Sequence, residues 1–325
     1  MASTSTVPNG TETSQPTLRY ADIGINLTDP IFTGRYHGKQ AHPSDLEHIL
    51  TRARNANVRK LLITGSDLHE SRAAITLSEQ HPGLCYATVG VHPCSAKTFG
   101  KYKDGPEALL AELKRVAVEG KGRGFVRAFG EIGLDYDRLQ HADKETQVEF
   151  FEKQLDVAVE VGLPLFLHSR AAAEDFERIL KSRLERLPKR GVVHSFTGSL
   201  EEMRRIVELG FDVGINGCSL KTEENLAVVK EVPLERLQIE TDGPWCEMRP
   251  SQASAKFTED APALPKAVKK EKWNEECMVK GRNEPCTIGR VAWCVAKVKG
   301  VEVEVVAEAA WRNSIRMFGL GETAP

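Results

Sequence analysis

The chain has 325 residues, 41% of them apolar, enough material for one large buried core. Its 44 basic and 46 acidic side chains leave a net charge of −2, which argues against a broad nucleic-acid-binding surface but leaves room for local basic contacts with a nucleic acid end. No apolar run is long enough to span a membrane, no secretory signal is visible, and the seven cysteines form no CxxC pair, so free thiols in the cytoplasm or nucleus are expected.

Residues 1–17 are rich in Ser, Thr, Pro and Gly. They cannot bury enough surface to offset their ordering entropy and read as a disordered tail. A single domain is expected over residues 18–325, since α/β barrels run to about 250 residues as one unit. Eight short apolar segments then recur: Asp22–Leu27, Lys60–Thr64, Tyr86–Val91, Phe125–Gly130, Pro164–Leu167, Gly191–Val193, Phe211–Ile215 and Leu237–Glu240. They show little alternation, as expected for strands buried on both faces.

Helical periodicity lies between them. Leu46, Ile49, Leu50 and Ala53 make one apolar stripe, with Ser44 and Glu47 placed as a capping box. Phe151, Leu155, Ala158 and Val159 make another, stopped by Gly162 and Pro164. Met203, Ile206 and Val207 make a third, with Ser199 and Glu202 as its capping box and Gly210 as its stop. After Asp242 the pattern lapses. Residues 243–285 are long, polar and irregular, and are expected to form a lid or to be partly disordered. Their basic stretch, Lys266, Lys269, Lys270 and Lys272, reads first as a solvated face and second as a partner or DNA contact. A last helix around Val305–Phe318 is expected to close the structure against the first strand. Strands alternating with helices predict a TIM (β/α)8 barrel.

In such a barrel the C-terminal strand ends hold the active site. The residues at or just past those ends include Asn26, His92, Glu131, His168, His194, Asn216 and Asp242. Two imidazoles and two carboxylates, from His168, His194, Glu131 and Asp242, form a familiar ligand set for a hydrolytic metal site. A metal there supplies a nucleophile from water near neutral pH, and an Asp beside that water takes its proton. His92 lies in a sharp Gly-Val-His-Pro exit from its strand, placed to orient substrate phosphate, to protonate a leaving group, or simply to hydrogen-bond within the loop. Arg170 reads equally as a bidentate phosphate holder and as a partner in a surface salt bridge. Asn26 and Asn216 either cap loops or bind substrate. Cys218 and Cys246 read as packing residues.

The segments carrying these residues include Asp22-Ile23-Gly24-Ile25-Asn26-Leu27-Thr28, Thr88-Val89-Gly90-Val91-His92-Pro93, Gly130-Glu131-Ile132-Gly133-Leu134-Asp135-Tyr136 and Phe166-Leu167-His168-Ser169-Arg170. They continue through Val193-His194-Ser195-Phe196-Thr197-Gly198, Ile215-Asn216-Gly217-Cys218-Ser219-Leu220-Lys221, Glu240-Thr241-Asp242-Gly243-Pro244-Trp245 and Arg282-Asn283-Glu284-Pro285. Together they resemble the TatD family of metal-dependent deoxyribonucleases, in its eukaryotic form, from about Tyr20 to Phe318.

The resemblance implies an amidohydrolase-type barrel and hydrolysis of DNA phosphodiester bonds, commonly from the 3′ end. It implies Glu131, His168, His194 and Asp242 as metal ligands, Asp242 as general base as well, and DNA as the binding partner. Gly24 and Asn26 stand where many members of the wider superfamily carry a His-x-His pair. That favours one tightly held divalent cation, Mg²⁺, Mn²⁺ or Zn²⁺, with a weaker second ion held by oxygens. Two other readings compete: hydrolysis of a small ester, lactone or phosphoester on the same barrel, and a non-catalytic metal-binding scaffold. The barrel buries its own core, so a monomer is expected.

Overall fold

The structure, a computed structural model, describes residues 18–187 and 189–322; the expected tail at residues 1–17 lies outside them. Eight parallel strands follow one another in chain order around a single sheet. They are β1 (Tyr20–Ile25), β2 (Val58–Ile63), β3 (Cys85–Val89), β4 (Val126–Asp135), β5 (Leu165–Arg170), β6 (Gly191–Val193), β7 (Asp212–Ile215) and β8 (Leu237–Ile239). The longer helices are α1 (Leu46–Asn55), α2 (Leu68–Gln80), α3 (Pro106–Gly122), α4 (Lys144–Val161), α5 (Ala173–Lys181), α6 (Leu200–Glu208), α7 (Glu223–Glu231), α8 (Ile288–Lys299) and α9 (Val303–Phe318).

The seam between β1 and β8 is bridged just beyond the strands. Asp242 N–H donates to Gly24 O at 2.8 Å, Asn26 N–H donates to Gly243 O at 2.8 Å, and Thr241 donates from both its backbone and its hydroxyl to the buried Asp22 carboxylate. The barrel interior holds Ala21, Ile23, Leu62, Tyr86 and Phe166, covered by Trp311, Ile315 and Phe318 of α9. A larger apolar layer lies between strands and outer helices. The last helix therefore packs against the first strand, as its position in the sequence suggested.

Local signals held where no tertiary partner competed. Ser199 and Glu202 form the reciprocal capping box of α6, and Gly162 ends α4 in a left-handed conformation. The box expected from Ser44 and Glu47 does not form. Asp45 takes the cap position of α1, and its side chain makes no cap bond because Arg282 and Trp273 bind the carboxylate instead. β4 also runs further than expected, because Gly133, Leu134 and Asp135 go on pairing with His168, Ser169 and Arg170.

Residues 243–285 are ordered against the barrel rather than forming a separate flap. Ala267–Val268 pairs in parallel with Met278–Val279, and Trp273 stacks on His42 with ring centroids 5.0 Å apart. The segment ends in a buried network. Arg282 grips Asp45 with two hydrogen bonds, at 2.9 and 2.7 Å, and Glu284 at 2.8 Å, while Arg52 of α1 donates to Glu284 at 2.8 Å. Two guanidinium groups balance two carboxylates out of water, so removing one cation leaves a carboxylate uncompensated. Arg282→Ala is expected to cost about 3–5 kcal/mol of stability, read from the urea unfolding midpoint. A loss under about 1 kcal/mol would show that the network adds little.

Candidate active site

The site is built around an irregularity in β4. Gly130 pairs with Phe166 and Ile132 with Leu167, so Glu131 is an extra residue in the register, a bulge that re-aims its side chain. Glycine is required on both sides of it. A Cβ at Gly130 (φ 152°) would come within 2.1 Å of Phe166 O, and one at Gly133 (φ 148°) within 1.9 Å of His168 O. β4 and β5 press together here, and that closeness brings Glu131 onto the histidines.

Glu131 Oε1 lies 2.7 Å from His194 Nε2, 2.9 Å from His168 Nδ1 and 3.4 Å from His92 Nε2. The far nitrogens of the two ligand-type histidines face acceptors. His168 Nε2 is 3.3 Å from Asp135 Oδ2, and His194 Nδ1 is 3.4 Å from Glu240 Oε1. A neutral ring that donates outward keeps its lone pair on the inward nitrogen. Two imidazole lone pairs and a carboxylate oxygen then converge, and only positive charge makes that arrangement favourable. Burial opposes the charged forms. Even so, the His194 and His92 charges and the hydrogen bonds from His168 and His194 hold the Glu131 carboxyl well below its usual range. Glu131 and Glu240 in turn hold His194 well above its usual range, again against burial. The donor set of two imidazole nitrogens with carboxylate oxygens fits a divalent cation. Glu131, His168 and His194 could hold one, with Asp242 on the same cavity.

That cavity, about 550 Å³, is lined by Asn26, His92, Glu131, His168, Arg170, His194 and Asp242 together. All the residues singled out in the sequence except Asn216 therefore meet there. Asn216 sits beneath, donating to Ser195 Oγ and Glu240 Oε1 at 2.9 and 3.0 Å. Asn26 lines the cavity, but its amide donates to Asp242 Oδ1 at 3.0 Å and to Gly243 O at 3.1 Å, so it holds Asp242 in place. Burial pushes the Asp242 carboxyl up to about 6, against the His194 charge and with Glu240 and Glu131 adding. Among the described residues Arg170 has no carboxylate within salt-bridge distance and no hydrogen bond, which leaves its guanidinium free for an anion.

His92 is placed differently from His168 and His194. Its Nδ1 accepts the Cys94 N–H at 3.0 Å, so in the neutral ring Nε2 carries the proton and points into the cavity as a donor. Burial pushes its pKa down to about 4, with the Glu131 charge opposing. His92 belongs to two candidate cation groups, one with Glu131 and His168 and one with Cys94 and Asp135. The hydrogen bond to Nδ1 argues against that use of the ring.

Several residues of this site escaped the sequence reading. Asp135 lies four positions after Glu131 in one strand, and Glu240 sits at the very end of the eighth apolar segment; a strand-end position is the sequence signal for both. Cys218 and Cys246 are not simple packing residues: they line the cavity with sulfurs 2.7 Å apart, and Cys246 Sγ is 3.3 Å from Asp242 Oδ2. Ala171, Ser195, Asp242 and Cys246 all have positive φ, from 48° to 53°, a conformation that costs non-glycine residues free energy and gathers here past the strand ends.

A family model described as TatD related DNase matches residues 22–319. The chain belongs to this family. It is 52% identical over 303 residues to the deoxyribonuclease Tat-D of Schizosaccharomyces pombe, covering 93% of this chain and 96% of that one. It is 34% identical to the 3′-5′ ssDNA/RNA exonuclease TatD of Pantoea ananatis, covering 92% of this chain and 99% of that one. Among solved structures, a TatD family hydrolase from Entamoeba histolytica superposes with a TM-score of 0.83 at 34% identity, covering 93% of this chain and 98% of that one.

Within this TatD site, Asp135 and His92 are separable by experiment. Asp135→Ala removes the acceptor that orients His168 and is expected to weaken divalent cation binding about 10- to 100-fold by calorimetric titration. His92→Ala is expected to leave cation affinity within about twofold while slowing turnover about 10²- to 10⁴-fold. Loss of cation binding in the His92 variant would instead make His92 a ligand.

Proposed function

We propose that this TatD family chain is a metal-dependent deoxyribonuclease that shortens single-stranded DNA from its 3′ end. The observation that carries this reading is the convergence of His168 and His194 on Glu131 at the floor of an open cavity. The fungal relative's deoxyribonuclease activity supports the substrate class, and the bacterial relative's 3′-5′ exonuclease activity supports the polarity. Bound there, a divalent cation supplies Lewis acidity, polarising a phosphoryl oxygen and acidifying a water. Mg²⁺ or Mn²⁺ is the native choice on this reading, because the first-strand position holds Gly24 and Asn26 rather than imidazoles.

The side chains divide the remaining work. Asp242, half-buried in the cavity wall and steadied by Asn26, accepts the proton of the attacking water. The water oxygen bonds to phosphorus as the bond to the 3′ oxygen of the preceding nucleotide breaks, releasing a nucleoside 5′-monophosphate. His92 Nε2–H donates to oxygen that gains negative charge at the reacting phosphate. Arg170 holds a neighbouring phosphate bidentately. A monomer suits this reading, since one barrel carries all the groups given a role here.

The test is hydrolysis of end-labelled single-stranded DNA by the wild type and by Glu131→Ala, with Mg²⁺, Mn²⁺, Zn²⁺ or chelator. A ladder that shortens from the 3′ end, needs added metal and disappears in the folded variant is expected. Metal-independent cleavage, or a folded Glu131→Ala variant that keeps more than about a tenth of the activity, refutes the assignment. Preference for a small ester over oligonucleotides would move the chain to the small-substrate reading.

A further inference from the structure

The 550 Å³ cavity has one wall that the proposed chemistry does not use. Trp245 lines it with 55% of its surface exposed. The other three tryptophans all have partners. Trp273 stacks on His42 and donates to Asp45, Trp293 lies beneath Lys297, and Trp311 is buried under Arg19. Among the described residues, Trp245 alone of the four has no stacked ring, no cation over its face and no hydrogen bond to its indole nitrogen.

The backbone beneath this ring is held fast on both sides. Trp245 N–H donates to Asp242 O at 2.9 Å, which ties the tryptophan to the turn that carries the proposed proton acceptor. Cys246 follows with φ 53°, its sulfur against Cys218. Gly217 gives the turn room: a Cβ there would lie 1.9 Å from Cys246 O. An exposed aromatic face on an immobilised turn loses little entropy on binding. Every nucleobase offers a π-face to such a ring whatever its sequence, and aromatic platforms are how single strands are held without base readout.

We propose that Trp245 is a base-stacking platform, a positioning residue that seats the nucleobase beside the phosphate under attack. This inference rests on the nuclease reading, and it assigns the platform to substrate placement rather than bond breaking. It also accounts for a negative overall charge in a strand-binding protein. One stacked base and the unpaired Arg170 hold the strand end locally, so no broad basic surface is needed.

The test is a cycle of wild type against Trp245 variants on based and abasic strands. Fluorescein-labelled single-stranded oligonucleotides, either fully based or with one tetrahydrofuran abasic residue moved stepwise from the 3′ end, are titrated against wild type, Trp245→Ala and Trp245→Phe. Binding is read by anisotropy in chelator, so no turnover is needed, and KM and kcat are then measured with metal. Trp245→Ala is expected to weaken binding and raise KM about 5- to 150-fold on the fully based strand, roughly 1–3 kcal/mol. The loss should vanish at one abasic position, kcat should hold within about threefold, and Trp245→Phe should restore most of the affinity. Equal losses on based and abasic strands, or no loss, overturn the platform. Because the ring is exposed, the melting temperature should be unchanged, and a large drop would refute the surface role. If the wild type binds in this pattern but cleaves nothing, the nuclease reading fails and the platform stands. If it cleaves but the cycle is flat, the platform fails and the nuclease reading stands.

Discussion

Everything at the mouth of this barrel depends on three electron-rich atoms being held together out of water. His168 Nδ1, His194 Nε2 and Glu131 Oε1 lie within hydrogen-bonding distance of one another through the carboxylate oxygen. Left neutral, the two rings would point lone pairs at a buried anion. The fold accepts that cost because Asp135 and Glu240 face the outer nitrogens, and because the β4 bulge and the glycines beside it leave Glu131 no other direction. A site so arranged is prepared for positive charge before any ligand arrives.

Around that centre the same device recurs: a side chain that faces the cavity is held in place by a neighbour. Asn26 steadies Asp242, and the Cys94 backbone fixes the His92 tautomer. Positive φ at Ala171, Ser195, Asp242 and Cys246 is a cost of aiming the chain just past the strand ends. Barrels absorb such costs because the strands beneath are buried on both faces and cannot yield. The seam between β1 and β8 is bridged by the very backbone that carries Asn26 and Asp242, so closing the barrel and aligning the proposed proton acceptor are one event.

The segment from 243 to 285 shows how a polar stretch becomes structure. It carries little apolar periodicity, so no helix or strand pattern announces it. What holds it is charge: Arg282 and Glu284 reach Asp45 and Arg52 on the far side of the barrel in sequence. The same attraction that orders this segment removed Asp45 from the capping role that nearby residues alone would suggest. Local and distant demands met on one carboxylate, and the bidentate Arg282 guanidinium outweighs one cap bond.

Much of this molecule was legible in order of residues alone. Eight apolar segments at helical spacing dictate a parallel barrel, because strands covered on both faces must be apolar throughout. A barrel in turn dictates that Glu131, His168, His194 and Asp242 share one rim, and repeated motifs place the chain in its family. Three things waited for tertiary structure. Which nitrogen of each histidine faces inward depends on Asp135, Glu240 and the Cys94 N–H, partners set by strand register and loop turn. The cysteines at 218 and 246 look like filler until two loops bring their sulfurs together beside Asp242. Trp245 reads as one more apolar residue until burial is measured, because exposure is a property of the packed surface and not of the chain. The sequence determined which residues could do chemistry; the direction in which each is turned was decided only by what packs behind it.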